Sequence, residues 1–460
     1  MSKHTLYSLL LPIGLLLVAC GQDRSGEYYA LIATKTWMYD TMEENYLFYQ
    51  DLPERDNLNF FRKPAEFLRS AMSSKDQKNG IYFSHIDSVF GTSRAFTASY
   101  PSYGMECAFL RNSNTGKYYA RILYVQQDSP ANEMGLRRGD WILDVDSTTL
   151  TTSNYETYIS KPVQDHLYHI ARKDDNGEPD TLYIKMTAPR LVPEPSVYKT
   201  RNFTTESGKK VFYIMYNSFQ QGDDESDLKA AFNEGMAESP SYVVLDLRYN
   251  PGGYVSTAVL LATMLAPSEA LGQTCLNMIY SDKQNKVETV KFSPTVLDGT
   301  SQFNFEHLYV LTTSNTASAA EAVINCLRPY LGDKLSQVGD YTFGKNVAQS
   351  LFKDEAYPQL EFWLSTSYIS NAEGYYDYYA NGLAPDHELA ENMTDELGEL
   401  GTEQDQLMIP VIYHIENGAF PIQQTEEDAV SRKGKKQDNI QVVFNSVTKK
   451  PKRSLWHVLK

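Results

Sequence analysis

The chain has 460 residues, more than one ordinary domain needs and enough for two or three. With 42% hydrophobic and 22% charged residues, its composition is that of a folded globular protein. The formal net charge of −16 argues against nucleic acid as a main partner, because phosphate binding needs a basic surface.

The start of the chain is a targeting segment. An apolar run from Leu6 to Ala19 has the length of a signal peptide and is too short for a comfortable membrane span. It ends in "LVAC", which resembles a bacterial lipobox, where the cysteine becomes the lipidated first residue. We predict a lipoprotein signal peptide over residues 1–20, lipidation at Cys20 and a lipid-anchored place in the bacterial cell envelope, facing the periplasm or the cell surface. A plain signal peptide is the alternative.

Residues 21–97 are predicted to form a small helical N-terminal domain. The segment "ALIATKTWMYDTMEENYLFY" places large apolar side chains at mostly helical spacing. A second helix is predicted in "PAEFLRSAMSS", with Pro64 near its start. We interpret the aromatic stripe of this region as core packing.

Residues 98–190 alternate as strands and resemble a PDZ domain. The resemblance rests on "SPANEMGLRRGDWILDVD", which joins a short helix at Pro130–Met134 to a Gly-Asp turn before a strand. It implies that an extended peptide adds to an open sheet edge and that backbone N–H groups hold its terminal carboxylate. The loop around Ser102–Phe109 sits where such a domain keeps that carboxylate-binding turn. A domain that serves only as a spacer or lid is the alternative.

The sequence pattern of residues 195–390 predicts an α/β domain. Strand-like segments such as "KKVFYIMYNSF", "SYVVLDLRYN", "HLYVLTT" and "LSQVGD" alternate with helical ones such as "ESDLKAAFNEGMA". This order implies a largely parallel sheet with right-handed crossovers.

The last part, residues 391–460, is a predicted C-terminal extension. From about Glu388 it is acidic and loop-like, and beyond Glu426 it has too few apolar residues to build its own core. Residues 431–460 hold nine Lys/Arg and one acid, a charge of +8, so the other 430 residues carry −24. This basic tail either contacts anionic lipid or is a solvated, mobile end.

Cysteine usage indicates neither a disulfide framework nor a metal site. Beyond Cys20 there are three cysteines at wide spacing, Cys107, Cys275 and Cys326, and there is no CxxC or His-rich pattern. We expect no metal and no cofactor, and we expect Cys326 to pack inside a helix.

The first stretch with chemical potential is "DLRYNPGG", Asp246–Gly253, after a buried strand. Asn-Pro followed by Gly-Gly predicts a sharp turn with exposed backbone N–H groups, which can hold a developing oxyanion. Alone it says little, because Asn-Pro-Gly turns are common.

The second stretch, "TTSNTASAAE", follows the strand "HLYVL" and opens a helix. A serine at such a junction lies beside outward-pointing N–H groups and the positive end of the helix dipole. Neighbouring alanines let a substrate backbone approach Ser318. The alternative is that Ser318 or Thr316 is only a helix N-cap, with Glu321 in the first turn.

The third stretch, "GDYTFGKNVAQ", follows the strand "LSQVG" and holds Lys345. A serine nucleophile needs a base, normally a histidine, and none of the eight histidines lies in these three loops. A buried lysine can serve, since desolvation disfavours the ammonium form, and Gln349 is spaced to orient the amine. The alternative is an exposed loop lysine.

In combination, these stretches resemble the carboxyl-terminal processing protease family, also called tail-specific proteases. The resemblance covers roughly residues 30–390 and includes the PDZ segment, "DLRYNPGG", "TASAAE", "TFGKNVAQ" and "NGLAPDHEL". It implies a PDZ domain coupled to a crotonase-like α/β core that cleaves proteins selected by their C-termini, without a cofactor. The expected partners are protein or peptide substrates and, through the lipid anchor, a membrane.

Carried over residue by residue, the resemblance makes Ser318 the nucleophile, Lys345 the general base and Gln349 the partner that orients the lysine. The implied oxyanion donors are backbone N–H groups, namely those of Gly252 or Gly253 and of Ala319.

Some features depart from the family pattern and leave two alternatives open. "CLRPYLGDK" stands where relatives often carry an acid and a shorter connection, "TASAAE" replaces a serine-rich run, and Pro329 predicts an early end to its helix. Another branch of the superfamily uses an N-terminal histidine, so His85 in "YFSHID" is an alternative base. The other alternative is a non-catalytic PDZ peptide-binding lipoprotein with an inactive core.

Overall fold

A computed structural model describes residues 25–88, 100–173, 176–422, 440–450 and 453–456. The predicted signal peptide and Cys20 lie outside these ranges. The described chain is a mixed α/β structure with three large sheets, as the sequence predicts for the fold class.

The central sheet has six strands in the order β10-β11-β12-β16-β17-β20. All neighbours from β11 onward are parallel, and β10 is antiparallel to β11. Both faces are covered, so the inner strands β11, β12 and β16 are buried over nearly their whole length, whereas the edge strand β10 alternates with exposed positions. The strands are Val197–Thr204 (β10), Lys210–Tyr216 (β11), Tyr242–Asp246 (β12), His307–Thr312 (β16), Leu335–Gly339 (β17) and His387–Glu388 (β20).

Helices cover one face of the central sheet, where their apolar residues form a core with β11, β12 and β16. These helices are Asp223–Met236 (α4), Val255–Leu265 (α5), Pro294–Leu297 (α6) and Ala319–Leu331 (α7). The opposite face packs against Met408–Asn417 (α8) and against a strand pair of the third sheet. The region after Glu388 is therefore not simply loop-like, because α8 buries Met408, Val411 and Ile415 in this second core.

The mixed sheet, the second large sheet, has the strand order β13-β22-β18-β19-β14-β15, with β3 paired to β19. Its strands are His85–Ser88 (β3), Gly252–Tyr254 (β13), Thr274–Tyr280 (β14), Val287–Lys291 (β15), Val347–Phe352 (β18), Leu360–Ser370 (β19) and Arg453–Trp456 (β22). Because β13 and β18 carry the oxyanion turn and Gln349, this sheet adjoins the predicted site.

The peripheral sheet, the third one, has the order β21-β4-β5-β6-β8-β9, and β7 pairs with β6. Its strands are Met105–Asn112 (β4), Tyr118–Val125 (β5), Trp141–Val145 (β6), Thr148–Thr149 (β7), Leu167–Lys173 (β8), Pro179–Lys185 (β9) and Ile440–Asn445 (β21). A short helix, Pro130–Glu133 (α3), follows β5, and its cap Ser129 accepts a hydrogen bond from Asn132 N. Apart from β21, the strands of this sheet come from the part of the chain whose sequence resembles a PDZ domain, residues 98–190.

The N-terminal region contains two helices, Ser25–Asn45 (α1) and Pro64–Ala71 (α2), the second beginning at Pro64 as predicted. It is not helical throughout, because Gln77–Lys78 (β1) and Ile81–Tyr82 (β2) form a hairpin and β3 joins the mixed sheet. Its aromatic stripe is core, since Met38, Tyr46 and Phe67 are fully buried, as expected.

Two other sequence expectations are wrong. Pro329 does not end α7 early; the helix continues to Leu331, and the proline removes one backbone hydrogen bond in its last turn. The basic tail is not wholly a solvated end, since its described residues form β21 and β22 within two sheets. The described residues of the tail pack on cores that earlier residues supply, Ile440 and Val447 on one and Phe444 on another.

Candidate active site

The three predicted stretches meet at one edge of the central sheet. The turns follow β12, β16 and β17, which are neighbours and parallel, so their carboxyl ends lie side by side. Ala317 N donates to Asn250 O at 3.0 Å, and Phe343 N donates to Thr316 O at 2.9 Å. The middle turn, with Ser318, is thus tied by backbone hydrogen bonds to the turn on each side.

Ser318 has an unusual backbone at the start of α7. Its φ is 66° and its ψ is −117°, whereas an ordinary N-cap residue lies in the extended region. A non-glycine residue in such a region costs about 1–3 kcal/mol and persists only where its surroundings fix it, most often at functional sites. Ser318 is therefore the N-cap by position, as the simpler interpretation held, but it is held in a strained turn between a strand and a helix.

Glu321 is the residue that ties the serine turn to the lysine loop. Its Oε2 accepts hydrogen bonds from Ser318 N at 2.6 Å and from Lys345 N at 2.9 Å. Its Oε1 accepts from Thr342 Oγ1 at 2.6 Å and from Gly344 N at 2.5 Å. One fully buried carboxylate thus sets the spacing between the backbones of Ser318 and Lys345.

Burial raises the pKa of Glu321, while the hydrogen bonds from Thr342 and from the backbone amides oppose that rise. The sequence shows Glu321 only as the Glu of an S-x-x-E capping box, a signal for its bond to Ser318 N but not for its bonds to the lysine loop.

Lys345 lies in a closed pocket and not on an exposed loop, since its side chain is 0% exposed. Its Nζ donates to Gln349 Oε1 at 2.8 Å, which is the orienting contact expected from the sequence. The ammonium nitrogen also lies 5.2 Å from the centroid of the Phe83 ring. At Gly344, φ is +93° and an added Cβ would lie 2.6 Å from Tyr379 O, so the loop that delivers Lys345 needs glycine there.

Asp76 is an acid of the lysine pocket that the sequence analysis missed. It is 0% exposed, and it accepts hydrogen bonds from Ser365 Oγ at 2.6 Å and from Tyr46 OH at 2.9 Å. Burial raises the pKa of Asp76 to about 6, although these hydrogen bonds and the charge of Lys345 oppose the rise. The N-terminal region thus contributes a carboxyl group whose charge acts on Lys345.

The Asn-Pro-Gly-Gly turn offers fewer oxyanion donors than the sequence suggested. Gly252 N donates to Asn250 Oδ1 at 2.8 Å, so this amide is already used. Gly253 N and Ala319 N are the other two predicted donors. Ala319 is the first residue of α7, where backbone N–H groups have no acceptor within the helix. Gly253 lies on β13, and a Cβ there would approach Phe219 O to 2.1 Å, which explains the glycine.

Beneath this turn lies a buried ion network that sequence reasoning also missed. Arg248 donates to Asp246 Oδ1 at 3.0 Å, to Glu391 Oε1 at 3.0 Å and to Asp405 at 2.9 and 2.7 Å. Arg138 of the peripheral sheet joins it through Glu391 and Tyr249. Burial opposes ionisation of Glu391, but the charges of Arg138 and Arg248 outweigh it and lower the pKa of Glu391 to about 2.

His85, the alternative base, contacts other groups. Its Nδ1 lies 2.8 Å from Phe83 O, its Nε2 lies 3.6 Å from Asp87 Oδ2, and its ring stacks on Trp363 with centroids 6.3 Å apart. None of these three partners belongs to the serine turn or the lysine loop.

Across residues 25–88, 100–173, 176–422, 440–450 and 453–456, no cluster of three or more His, Cys, Asp and Glu side chains could hold a metal ion. Nor does any helix within those ranges have the length and apolar character needed to cross a bilayer. The thiols of Cys107, Cys275 and Cys326 are buried, and Cys326 is a packed residue of α7, as expected.

Comparison with known proteins gives a consistent result. A model of peptidase family S41 matches residues 210–389, and a model of the peptidase S41 N-terminal domain matches residues 33–85. A crystal structure from Bacteroides fragilis NCTC 9343, assigned to the S41 proteases, is 31% identical, covers 83% of this chain and 97% of its own, and superposes with a TM-score of 0.71.

Relatives named CtpA-like serine proteases are more distant. The one from Staphylococcus haemolyticus is 25% identical over 291 residues, which is 60% of this chain and 51% of the relative. The one from Staphylococcus aureus strain COL is 26% identical over 269 residues, 56% of this chain and 47% of the relative. The chain spans about half the length of these curated relatives.

Proposed function

Because this chain belongs to peptidase family S41, we propose that it is a serine endopeptidase in which Ser318 is the nucleophile and Lys345 the general base. The observation that carries the proposal is the bridge made by Glu321. Its carboxylate accepts hydrogen bonds from the backbone N–H groups of both Ser318 and Lys345, at 2.6 and 2.9 Å. The backbones of the two residues are therefore held close together.

The proposed reaction is acyl transfer. Neutral Lys345 takes the proton from Ser318 Oγ as that oxygen attacks the carbonyl carbon of the scissile peptide bond. The N–H groups of Gly253 and Ala319 stabilise the resulting oxyanion. The lysine ammonium then protonates the leaving amine, and a water molecule, deprotonated by the same lysine, releases the acyl group. Gln349 keeps the amine in place through the 2.8 Å hydrogen bond.

Substrate selection through C-termini is part of the proposal. The peripheral sheet has the loop Ser102–Gly104 at the start of β4, where a PDZ domain binds a terminal carboxylate. A cavity of about 380 Å³ adjoins this loop and is lined by Tyr100, Gly104, Tyr155 and Ile159, among others. A protein tail bound there would lie beside the protease core, to which Arg138 connects the sheet through Tyr249.

Attachment to the cell envelope through lipid on Cys20 completes the proposal. It rests on the sequence of residues 1–20 alone, and metabolic labelling with palmitate tests it. Labelling of the full chain and none of the Cys20→Ala variant is expected, and equal labelling of both would overturn it.

The test of activity is cleavage of an unfolded protein such as casein. Ser318→Ala and Lys345→Ala should abolish cleavage, and His85→Ala should retain it. Ser314→Ala is the matched control, because Ser314 lies in the same turn with an exposed side chain. Loss with His85→Ala and retention with Lys345→Ala would transfer the base to the histidine. A wild-type protein that binds tail peptides without cleaving any protein would instead be the non-catalytic binding lipoprotein.

A further inference from the structure

The C-terminal segment of the chain is built into the surfaces that a substrate would use. It consists of β21, the residues 446–450 and β22. We call residues 440–450 and 453–456 together the tail segment. Its first part adds to the peripheral sheet, and its last part adds to the mixed sheet beside the candidate active site.

The first part of the tail segment lies where a PDZ ligand would lie. Strand β21 pairs antiparallel with β4 and forms the edge of the peripheral sheet, with Ile440 opposite Asn112 and Asn445 opposite Ala108. The segment therefore runs toward the start of β4, where the predicted carboxylate-binding loop lies. This direction and this edge are those of peptide recognition by β-augmentation.

One aromatic side chain anchors this part. The ring of Phe444 packs against Phe109, with centroids 5.1 Å apart, and against Tyr155 at 5.0 Å. The flanking Val442 and Val443 are 51% and 44% exposed. Phe444 thus packs between Phe109 of β4 and Tyr155, while its two valine neighbours stay largely exposed.

An ion-pair contact follows, in which a lysine of the tail segment binds two glutamates from earlier parts of the chain. Lys450 Nζ lies 2.8 Å from Glu106 Oε1 and 2.7 Å from Glu194 Oε2. Burial opposes its charge, but these carboxylates hold the pKa of Lys450 well above its usual value. Ser446 N donates to Cys107 O at 2.9 Å, and Thr448 Oγ1 donates to Asn315 Oδ1 at 2.9 Å. Asn315 belongs to the serine turn, so the segment has reached the candidate site at this point.

The last part inserts between two elements of the site. Strand β22 is parallel to β13 on one side and to β18 on the other, and the order β13-β22-β18 makes it the link between them. Ser454 is opposite Gly253, a predicted oxyanion donor, and Leu455 is opposite Gln349, the partner of Lys345. The Leu455 side chain is 1% exposed.

We propose that the tail segment is an intramolecular, substrate-like ligand that fills the peptide path from the PDZ-like groove to the protease site and holds the enzyme in a latent state. The latent state rests on the proposed protease function. The binding of the tail segment in the groove does not depend on that function. A substrate tail that ends at the Ser102–Gly104 loop, with an aromatic side chain for the Phe444 position, would compete with the first part of the tail segment. A scissile segment with an apolar side chain for the Leu455 position would compete with the last part.

An attached competitor acts at an effective concentration that reaches about millimolar, so modest affinity is enough for strong inhibition. Removal of residues 440–460 should therefore raise kcat/KM for casein by about tenfold or more. The control lacks only residues 457–460, keeps the tail segment and should behave like the full chain. Leu455→Asp in the full chain is the second variant, which disturbs only the strand beside the active site and should also raise the rate.

A second experiment measures peptide binding and does not depend on catalysis. A fluorescent synthetic peptide of residues 440–456 is titrated, by anisotropy, against Ser318→Ala protein with and without residues 440–460. Binding to the shortened protein, at least tenfold weaker binding to the full chain, and inhibition of the shortened enzyme by the same peptide but not by a scrambled one are expected.

Equal casein rates for the full chain, the shortened chain and Leu455→Asp would overturn the inference, as would equal peptide binding by the two Ser318→Ala proteins. If no form cleaves casein but the binding difference is found, the proposed protease function fails and the occupancy of the groove stands.

Discussion

Two buried basic side chains belong to the two outer turns of the site, and their surroundings differ. Arg248 and Lys345 are both 0% exposed. Arg248 is bonded directly to three carboxylates, Asp246, Glu391 and Asp405, at 2.7–3.0 Å. The hydrogen bond described for Lys345 Nζ instead goes to a neutral amide, that of Gln349, at 2.8 Å.

The difference suits Arg248 to a structural role and Lys345 to a role in proton transfer. A guanidinium surrounded by carboxylates keeps its proton under all ordinary conditions, and it fixes the turn that carries Asn250 and Gly253. A buried amine beside an amide and an aromatic ring can release its proton, because desolvation favours the neutral form. The charge of Asp76 acts on Lys345 in the opposite sense. The same fold thus uses arginine as a support and lysine as a base.

The largest expected effect is on catalysis. Lys345→Met keeps the apolar volume of the pocket but removes the base, so kcat/KM for casein should fall on the order of 10³-fold or more. Lys35→Met is the matched control, since Lys35 is another lysine with only 8% exposure, placed on α1. Its variant should keep the wild-type rate. Similar rates for Lys345→Met and Lys35→Met would remove the distinction between a base and a packed lysine.

The second effect concerns stability. Arg248→Met removes the cation from Asp246 and Asp405 and leaves Glu391 with Arg138 alone, and breaking such a network by removal of one partner costs about 3–5 kcal/mol. Urea unfolding should show this loss. Lys345→Met should cost less, about 1 kcal/mol, because the hydrogen bond described for its Nζ goes to a single neutral amide. The comparison is wrong if both methionine variants unfold at the same urea concentration.

A third variant makes the lysine site resemble the arginine site. Gln349→Glu would place a carboxylate next to the Lys345 amine and favour its ammonium form. We expect kcat/KM near pH 7.5 to fall about 10- to 100-fold and to recover as pH rises, because an adjacent opposite charge raises a lysine pKa by about 1–2 units. Gln349→Met, which adds no charge, should not move the pH profile upward. An unchanged profile in Gln349→Glu would show that the amine is not the titrating group.

The smallest expected effect comes from Asp76. Its pKa of about 6 means that it is a carboxylate above pH 6 and there favours the ammonium form of Lys345. In Asp76→Asn the rise of kcat/KM with pH should begin at a lower pH, by up to about one unit, and the two profiles should converge below pH 5, where Asp76 is protonated. A shift to higher pH would contradict this sign.

Asp76 also affects stability in a defined pH window. Its folded-state pKa of about 6 lies above the usual aspartate value of about 3.9. The stabilisation linked to its bound proton is therefore fully present below about pH 4 and lost as pH rises through 6. Urea midpoints measured across pH 4–7 should show this slope in the wild type and a smaller one in Asp76→Asn.

The sequence predicts the elements that depend on local pattern. Apolar strands followed by turns place Asp246–Gly253, Ser318 and Lys345 at one sheet edge, because parallel neighbours end together. Gln349, four residues after Lys345, is close enough in the chain for its contact to be inferred.

Contacts between distant parts of the chain carry no such signal. Asp76 precedes Lys345 by most of the protein, and Glu391 and Asp405 reach Arg248 across more than 140 residues of chain. The contacts of the tail segment were missed for a related reason. Its lysines suggest a solvated end, but Lys450 forms ion pairs with two acids that are distant in the sequence. The Gly252 amide was locally predictable, since an Asn two residues earlier commonly accepts from such a backbone N–H.

Labelling with a serine-directed fluorophosphonate, analysed by mass spectrometry across pH 6–10 in the chain that lacks residues 440–460, tests the central claim most directly. The account predicts a single adduct on Ser318, a labelling rate that rises with pH as Lys345 loses its proton, and loss of labelling in Lys345→Met. An adduct on another residue, a flat rate across this range, or equal labelling of the Lys345→Met variant would contradict it.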